Sequence, residues 1–470
     1  SRNGERERLQ MRRTQMPLFA PETEWVAPHE LKDLSGIKEV AIDLETNDPE
    51  LMTLGSGNVI GRGHIAGVAV AIEGWSGYYP IGHEGGGNMD RKLVLEWVQD
   101  LVNQEKTTFI FHNAMYDVCW LRQAGIKIRG KIVDTMIAAS LIDENRMSYQ
   151  LNTLAKHYVG IGKDEKVLQE AAKSYSVNPK SEMYKLPAMY VGEYAERDAE
   201  ATLKLWQRLS TELVSQELMD VFNLETKLFP CLVDMRFKGV RVDLEHAAKL
   251  KKNLIVRENK ILSKIKELTG INVEIHAARS IAKAFDKLKL PYDRTEKSNE
   301  PSFTKNFLQN HPHELARSIA DAREINKAHT TFIDSITKHS AKGRIHADIN
   351  QIRSDQGGTV TGRFSMSNPN LQQIPARHPE IGPMIRSIFI PEEKTVWGSF
   401  DYSQQEPRIL VHYAKLQNLD GVDEIVNAYN EGDADFHQVV ADMAGIERKQ
   451  AKTINLGLMY GMGKNKLMSE

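Results

Sequence analysis

Asp43 and Glu45 stand two residues apart in a run where Val40, Ile42 and Leu44 alternate with Ala41, Asp43 and Glu45. In a strand that spacing points both carboxylates to one face. Asp117 closes the run His112-Asn113-Ala114-Met115-Tyr116-Asp117, just past a second strand pattern at Phe109 to His112. Tyr194 and Asp198 are four apart, which places them on one face of a helix. Four carboxylates drawn from two strands and a helix repel one another unless cations lie between them. Hard divalent ions with oxygen ligands, Mg²⁺ or Mn²⁺, are the natural partners. Two such ions about 3.5–4 Å apart activate a water and stabilise the leaving oxygen in phosphodiester hydrolysis. Tyr194 would then hold or orient the attacking water. Each piece alone has an ordinary explanation, an edge-strand pair or a helix-surface pair; it is their order and placement together that point to chemistry. Asp134, in Val133-Asp134-Thr135, reads instead as a helix N-cap.

A second group of chemistry-bearing blocks lies far downstream. Thr359-Val360-Thr361-Gly362-Arg363-Phe364-Ser365 and Pro369-Asn370-Leu371-Gln372-Gln373-Ile374-Pro375 precede a strand expected to end at Ser399-Phe400-Asp401. Tyr402-Ser403-Gln404-Gln405-Glu406-Pro407-Arg408 then opens a helix. In Arg448 to Gly461, Arg448, Lys452, Leu456 and Tyr460 recur every four residues and form a slowly winding stripe. Two cations, an apolar residue and an aromatic on one stripe can grip a triphosphate, then a sugar and base. On a lone helix the same stripe would be a basic flank above a core.

The elements that must position these residues follow from the pattern. Residues 39–45 read as a strand, 64–72 and 78–82 as a hairpin, and 90–104, 114–124 and 134–142 as helices. The stretch 173–187 is loop-like. From about 211 to 340 the chain reads as helical, with 244–268 a long amphipathic helix bearing lysines outside. Strands return after Arg344, and 402–418 and 448–460 read as helices. The chain has 470 residues, 41% hydrophobic and 26% charged, which is about three domains at ~150 residues each. Its longest apolar run, His64 to Ile72, is far short of the ~20 residues of a membrane span. Cys119 and Cys231 are too few for a disulfide framework or a zinc site and fit a reducing cytosol. Charge is uneven: residues 23–208 sum to −6, 241–340 to +6, and the first twenty, with five arginines and two glutamates, to +3. An acidic domain beside a basic one suits a protein that holds metal in one place and a polyanion in another.

The first constellation resembles the DEDD superfamily of 3′–5′ exonucleases, in the subclass with tyrosine before the last aspartate. The resemblance covers about 25–208 and implies a ribonuclease H-like fold, with Asp43, Glu45, Asp117 and Asp198 as metal ligands and Asn113 at the DNA. The three later blocks, in this order, resemble family A DNA polymerases, the group of bacterial DNA polymerase I and its phage relatives. That resemblance implies an α/β multidomain fold: a flexible basic arm at 1–22, a ribonuclease H-like 3′–5′ exonuclease domain at 23–208, a helical thumb at 209–343, and a partial palm and fingers of a right-hand polymerase at 344–470. It also implies Asp401 as the catalytic metal-binding aspartate of the palm. By the same resemblance Glu406 is expected to pack on the incoming sugar, His437, Arg448, Lys452, Leu456 and Tyr460 to meet the deoxynucleoside triphosphate, and Arg363 and Gln372 to touch the primer–template duplex. The expected cofactor is Mg²⁺, two per site, with Mn²⁺ as substitute, and the expected place of work is a bacterial or host-cell cytoplasm.

The runner-up reading is a stand-alone 3′–5′ exonuclease whose polymerase half is a vestigial DNA-binding platform. An RNA-trimming exonuclease would have no use for Arg363, Asp401 and the Arg448–Tyr460 stripe, and a non-enzymatic DNA-binding module no use for four converging acids. Gln15-Met16-Pro17-Leu18-Phe19 resembles the Gln-x-x-Leu-Phe peptides that dock on bacterial sliding clamps; an apolar anchor for the arm is the plainer reading.

Three departures from the family pattern stand out. Gln405 and Pro407 replace aliphatic residues, the proline falling in a first helical turn where it is tolerated. The family's second palm carboxylate, in a His-Asp block downstream of the fingers, does not occur before Glu470, and the chain begins with Ser1; the expectation is a fragment with an intact exonuclease site and an incomplete polymerase site. Leu456 stands where the family carries Phe or Tyr, which weakens packing on the incoming nucleotide. Leu456→Phe, in an enzyme carrying the whole polymerase site, is expected to speed incorporation. Single-nucleotide extension rates check this, and a rate no faster than that of the parent sinks it.

Overall fold

The computed structural model describes residues 20–467 apart from 163, 356, 377, 433, 434, 465 and 466. The run Gln15 to Phe19 and almost all of the basic arm lie outside the described residues. The chain divides into two compact units, one up to Glu392 and one from Glu393.

The first unit is built on a five-stranded sheet: β1 (Glu39–Asn47), β2 (His64–Ile72), β3 (Trp75–Pro80), β4 (Thr108–Phe111) and β5 (Lys131–Asp134), in the order β3-β2-β1-β4-β5. β1, β2 and β3 are antiparallel neighbours, while β4 and β5 run parallel to β1. Helices α1 (Arg91–Val102), α2 (Ala114–Gln123), α3 (Thr135–Ile142), α4 (Leu151–Val159), α5 (Lys166–Tyr175) and α6 (Gly192–Ser215) complete the domain.

The period of two in β1 divides two cores. Val40, Ile42 and Leu44 pack with Phe109, Phe111, Val118 and Trp120 on one side. Ala41, on the other face, packs with Ala69, Ala71 and the α6 residues Ala195 and Ala199. Asp43 and Glu45 continue the Ala41 face, which is the face α6 crosses. Methyl-sized side chains on both surfaces let helix and sheet approach closely. The ladder between β1 and β2 shifts register between Glu45 and Thr46, a bulge at the end of the acid-bearing stretch.

Several boundaries differ from the sequence expectation. The hairpin's second strand runs Trp75–Pro80, because the pair Ile72↔Trp75 leaves only Glu73 and Gly74 in the turn, with Gly74 at φ +76°. The stretch 173–187 is not all loop. α5 occupies 166–175, held by buried Leu168, Ala171 and Ala172 at helical spacing, and short 3₁₀ turns follow at Met183–Lys185 and Ala188–Tyr190. β5 was not expected; it is four residues of parallel pairing with β4, too short to show a pattern. Asp134 ends that strand and, as expected, caps α3, accepting from Met136 N at 2.8 Å.

Beyond α6 come α7 (Met219–Lys238), α8 (Leu244–Thr269), α9 (Ala278–Lys287) and α10 (Glu314–Lys327), the last running into a π-helical turn at Ala328–Ile333. α8 matches the expected amphipathic helix. Short strands β6 (Val240–Arg241), β7 (Ser340–Ala341) and β8 (Arg344–Ile345) form a small sheet, and β9 (Asp348–Asn350) pairs with β10 (Ser365–Ser367).

In the second unit α11 (Gln405–Leu416) and α12 (Val422–Asn430) enclose a small core of Val411, Val422 and Tyr429, on which Phe436 of α13 (Phe436–Ala444) packs, and α14 (Arg448–Met459) packs on α13. The strand expected to end at Asp401 is not formed. Residues 395–402 have no regular structure, and Val396, Phe400 and Tyr402 are exposed. A strand needs a neighbour to receive its backbone hydrogen bonds, and no strand among the described residues pairs with this stretch.

Ala199→Leu is expected to lower stability by about 1–3 kcal/mol, since it forces extra methylenes between α6 and the sheet. Urea unfolding measures the loss, and an unchanged midpoint would contradict the close-packing account.

Candidate active site

The acids are fixed first by what the backbone leaves unpaired. β4 pairs with β1 through Ala41↔Ile110 and ends at Phe111, so the Leu44 N–H lies beyond its reach. Asp117, in the first turn of α2, takes that role and accepts from Leu44 N at 3.1 Å. One side chain therefore sits on the strand between Asp43 and Glu45. The start of α2 is held in turn by Asp134, which accepts from Asn113 N at 3.0 Å and Ala114 N at 2.8 Å. Asn113 caps α2 from the left-handed region at φ +65°, a conformation asparagine tolerates. Burial pushes Asp134 up to about 6 against the pull of these N–H groups.

The electrostatics show that the five expected residues converge. Burial, then Asp198, holds Asp43 well above the usual carboxylate range. Glu45 is raised by burial, then Asp43, then Asp198. Asp117 is raised by burial and then Asp43, with the Leu44 N–H pulling the other way. The Tyr194 hydroxyl is raised by burial and then by Asp198, to which it is hydrogen-bonded, with Glu45 and Asp43 adding to the effect. Neighbouring buried carboxylates of this kind fit a hard divalent cation by donor type and by charge. Among the described residues no group of three or more His, Cys, Asp or Glu side chains stands placed to hold a metal ion.

Two further residues belong here and were missed in the sequence. Tyr78, opposite Ala69 in the ladder while Asp43 is opposite the same Ala69 from the other side, is raised by burial and then by Glu45 and Asp43. Its hydroxyl meets His83 Nε2 at 2.6 Å, and His83 Nδ1 meets the Leu186 carbonyl at 3.0 Å. The carbonyl can only accept, so Nδ1 carries the proton and Nε2 accepts from Tyr78. Alternation along β3 could have singled out Tyr78; the pairing with His83 depends on a turn that alternation does not describe.

A cavity of about 230 Å³ opens in the same unit, with Asn58, Asn113, Met115, Tyr116, Asn350 and Gln351 among its lining residues. Asn58 and Gln351 are buried, and Asn58 Oδ1 and Gln351 Oε1 have no hydrogen-bond partner. Arg363 and Gln372 are exposed on one segment, where Gln372 Nε2 donates to the Phe364 carbonyl at 3.0 Å.

In the second unit Asp401 is exposed in the irregular stretch. The Tyr460 hydroxyl donates to Glu406, and Arg448 Nε bonds Asp435 Oδ2 at 2.6 Å. Arg448, Lys452 and Tyr460 are exposed and Leu456 half-buried, while Ala451 and Asn455 face the core. His437 is buried, with Nδ1 accepting from Asn455 Nδ2 at 3.1 Å.

Residues 27–214 match the family model of a 3′–5′ exonuclease, and residues 244–470 that of DNA polymerase family A. Among curated relatives, a DNA-directed DNA polymerase of Pseudomonas phage M6 is 38% identical over 96% of this chain and 72% of its own length. DNA polymerase DpoZ of Salmonella phage PMBT28 is 32% identical, covering 93% of this chain and 72% of the relative. DNA polymerase I of Pseudomonas aeruginosa is 28% identical over 92% of this chain and 47% of its own length. In fold, the chain is similar to the POL domain of Pol1 from M. smegmatis, solved with DNA primer-template and dNTP. That match has a TM-score of 0.68, 20% identity, and covers 92% of this chain and 69% of that one.

His83 makes a pH signature. Burial lowers it from 6.5 to about 4, so on acidification the unfolded chain takes up this proton first. Its contribution to stability is fully present above about 6.5 and is lost as pH falls through about 4. On the linkage relation that is about 3 kcal/mol. His83→Gln is expected to flatten the stability profile by that amount between those pH values, as read by urea unfolding; identical slopes would contradict a neutral buried His83.

Proposed function

The chain belongs to DNA polymerase family A and carries a 3′–5′ exonuclease domain ahead of its polymerase domain, and from that premise we propose which residues do the work and how. The exonuclease hydrolyses the terminal phosphodiester of a DNA 3′ end at Asp43, Glu45, Asp117 and Asp198. The observation that carries this is the convergence of these acids, each of Asp43, Glu45 and Asp117 raised by burial and by its neighbours. The domain is metal-dependent, as the family is. Mg²⁺ is the ion proposed, with Mn²⁺ as substitute, held by those four carboxylates. When bound, such ions neutralise phosphate charge and lower the pKa of a bound water. Tyr194, kept protonated by burial and by Asp198, orients the attacking water. Asn113 and Tyr116, on the cavity wall, guide the strand end toward the acids.

At the polymerase site the primer 3′-hydroxyl attacks the α-phosphate of a deoxynucleoside triphosphate and pyrophosphate leaves. Asp401 supplies a metal-binding carboxylate. Arg448, Lys452 and His437 hold the triphosphate, Glu406 packs on the sugar, and Leu456 and Tyr460 pack near the base. Glu406 and Tyr460 are already hydrogen-bonded to each other, which fixes the ring beside the sugar position. Arg363 and Gln372 read the minor groove, where correct pairs share acceptors. The helical region 209–343, basic in charge, holds the duplex by its phosphates as a thumb, with 23–208 as exonuclease domain and 344–470 as palm and fingers. The phage and bacterial DNA polymerases among its relatives support bacterial cytoplasm as its place of work. No helix among the described residues is long and apolar enough to cross a membrane.

The test uses this chain, Mg²⁺ and a 5′-labelled primer on a longer template, with and without deoxynucleotides. Shortening without deoxynucleotides is expected, abolished by chelation. Asp43→Ala is expected to slow it at least about 10²-fold, the scale on which loss of one charge-stabilising group lowers kcat. No shortening, or shortening indifferent to Asp43, would overturn the exonuclease assignment. Extension with deoxynucleotides would show the polymerase site working in this chain. Shortening in both lanes with no extension would fit an intact exonuclease joined to a polymerase site that is incomplete in this chain.

A further inference from the structure

Asp348, the first residue of β9, is where three distant pieces of the first unit meet. Its Oδ1 accepts from Arg236 Nη2 at 2.6 Å, and that arginine, near the end of α7, is 3% exposed. Its Oδ2 accepts from Asn368 Nδ2 at 2.9 Å. The same oxygen lies against Gly55: a Cβ there would stand 2.8 Å from Asp348 Oδ2 and 2.7 Å from Asn368 Nδ2. There is no slack between Gly55 and this pair.

The partners are not equivalent in function. Gly55 belongs to the segment that leaves β1 after Asn47, two residues past Glu45. That segment is tied to α2 as well, since Asp48 accepts from Ser56 Oγ at 2.9 Å, Gly57 N at 3.0 Å and the Tyr116 hydroxyl at 3.2 Å. Tyr116 is the neighbour of Asp117. Asn368 directly precedes the run Pro369 to Gln373 that contains Gln372. Arg236, buried, needs the carboxylate: removing one member of a buried ion pair leaves a charge without compensation. The other contacts of this region dock it elsewhere. Gln351 Nε2 donates to the Glu225 carbonyl at 2.7 Å, and Asp355 accepts from Tyr149 N at 2.9 Å; neither reaches the loop between β1 and β2.

We propose that Asp348 is a positioning residue that couples the segment gripping the duplex to the loop beside the exonuclease acids. The inference rests on the reading of Gln372 and Arg363 as duplex contacts. Duplex held by those residues holds Asn368, the charge-assisted bond from Asn368 holds Asp348, and the pair sets the position of the loop at Gly55. Excision from a base-paired primer end therefore depends on the Asp348–Asn368 bond. Excision from a free single strand, which engages no duplex grip, does not.

The experiment measures excision by the full chain, with Mg²⁺, on one labelled oligonucleotide used either single-stranded or annealed with a paired 3′ end. Asn368→Asp is the first variant: it keeps a residue that tolerates the local backbone (φ +52°), leaves the Arg236 pair intact, and replaces an attraction by a repulsion. The expected result is a fall of at least about fivefold in the ratio of paired-end to single-strand excision, the low end of measured couplings between sites; the ratio is the readout because Asn368 also lines the cavity that holds Asn113 and Tyr116. Equal losses on both substrates would show a merely structural role and overturn the proposal, as would no change on either. Gln372→Ala separates the two readings. If it leaves duplex affinity untouched, the duplex-contact reading fails; if it weakens duplex binding while Asn368→Asp leaves the ratio unmoved, the coupling fails alone.

Discussion

The distance between α6 and β1 is the constraint on which the acid cluster depends. Ala41, Ala69 and Ala71 on the sheet share one core with Ala195 and Ala199 on the helix, and these short side chains let the two surfaces approach closely. Tyr194 and Asp198 flank those alanines on the helix, and Asp43 and Glu45 follow Ala41 on the strand. The apolar seam thus brings like charges together that would otherwise stay apart, and its burial energy is what offsets their repulsion. A second anchor works from the opposite side. Asp134 receives the N–H groups at the start of α2 and of α3, so the turn that delivers Asp117 is fixed by a carboxylate that is itself buried.

What could be read in the sequence was what repeats locally. Asp43 and Glu45 share a face because strand side chains alternate, and Tyr194 and Asp198 because helix side chains recur at four. Both assignments needed only a few adjacent residues. The long helix at 244–269 was equally plain from its apolar spacing. Asp134 was legible as a cap of α3, but its hold on α2 was not, since Asn113 and Ala114 are twenty or more positions away. The same holds for His83 with Leu186 and for Asp348 with Arg236. In each case the partner is chosen by the tertiary fold, and no spacing rule names it.

The stretch around Asp401 shows the converse. Its apolar residues fit a strand, yet Val396 and Phe400 are exposed and no ladder forms. Propensity is a statement about how well side chains suit a pleated surface, and it is realised only where another strand supplies hydrogen bonds. The helices that follow are organised without such help. The bonds from Asn455 to His437, from Arg448 to Asp435 and from Tyr460 to Glu406 link α13 and α14 and connect the end of α14 to α11. A helix satisfies most of its backbone internally and needs a neighbour only for its side chains, which is why these parts hold their form while the extended stretch does not.

The short chain of hydrogen bonds from Tyr78 through His83 to Leu186 has a direction. The Leu186 carbonyl claims the one proton of the neutral imidazole, and the imidazole's free nitrogen then claims the proton of the phenol. The phenol oxygen is left with only lone pairs to present on its remaining side, where Glu45 and Asp43 lie close enough to act on it. A tyrosine beside carboxylates would ordinarily lend them a hydrogen bond and soften their charge. This one, polarised from behind, adds negative potential instead. A carbonyl at Leu186 thereby sharpens the appetite of the acids for positive charge without touching any of them.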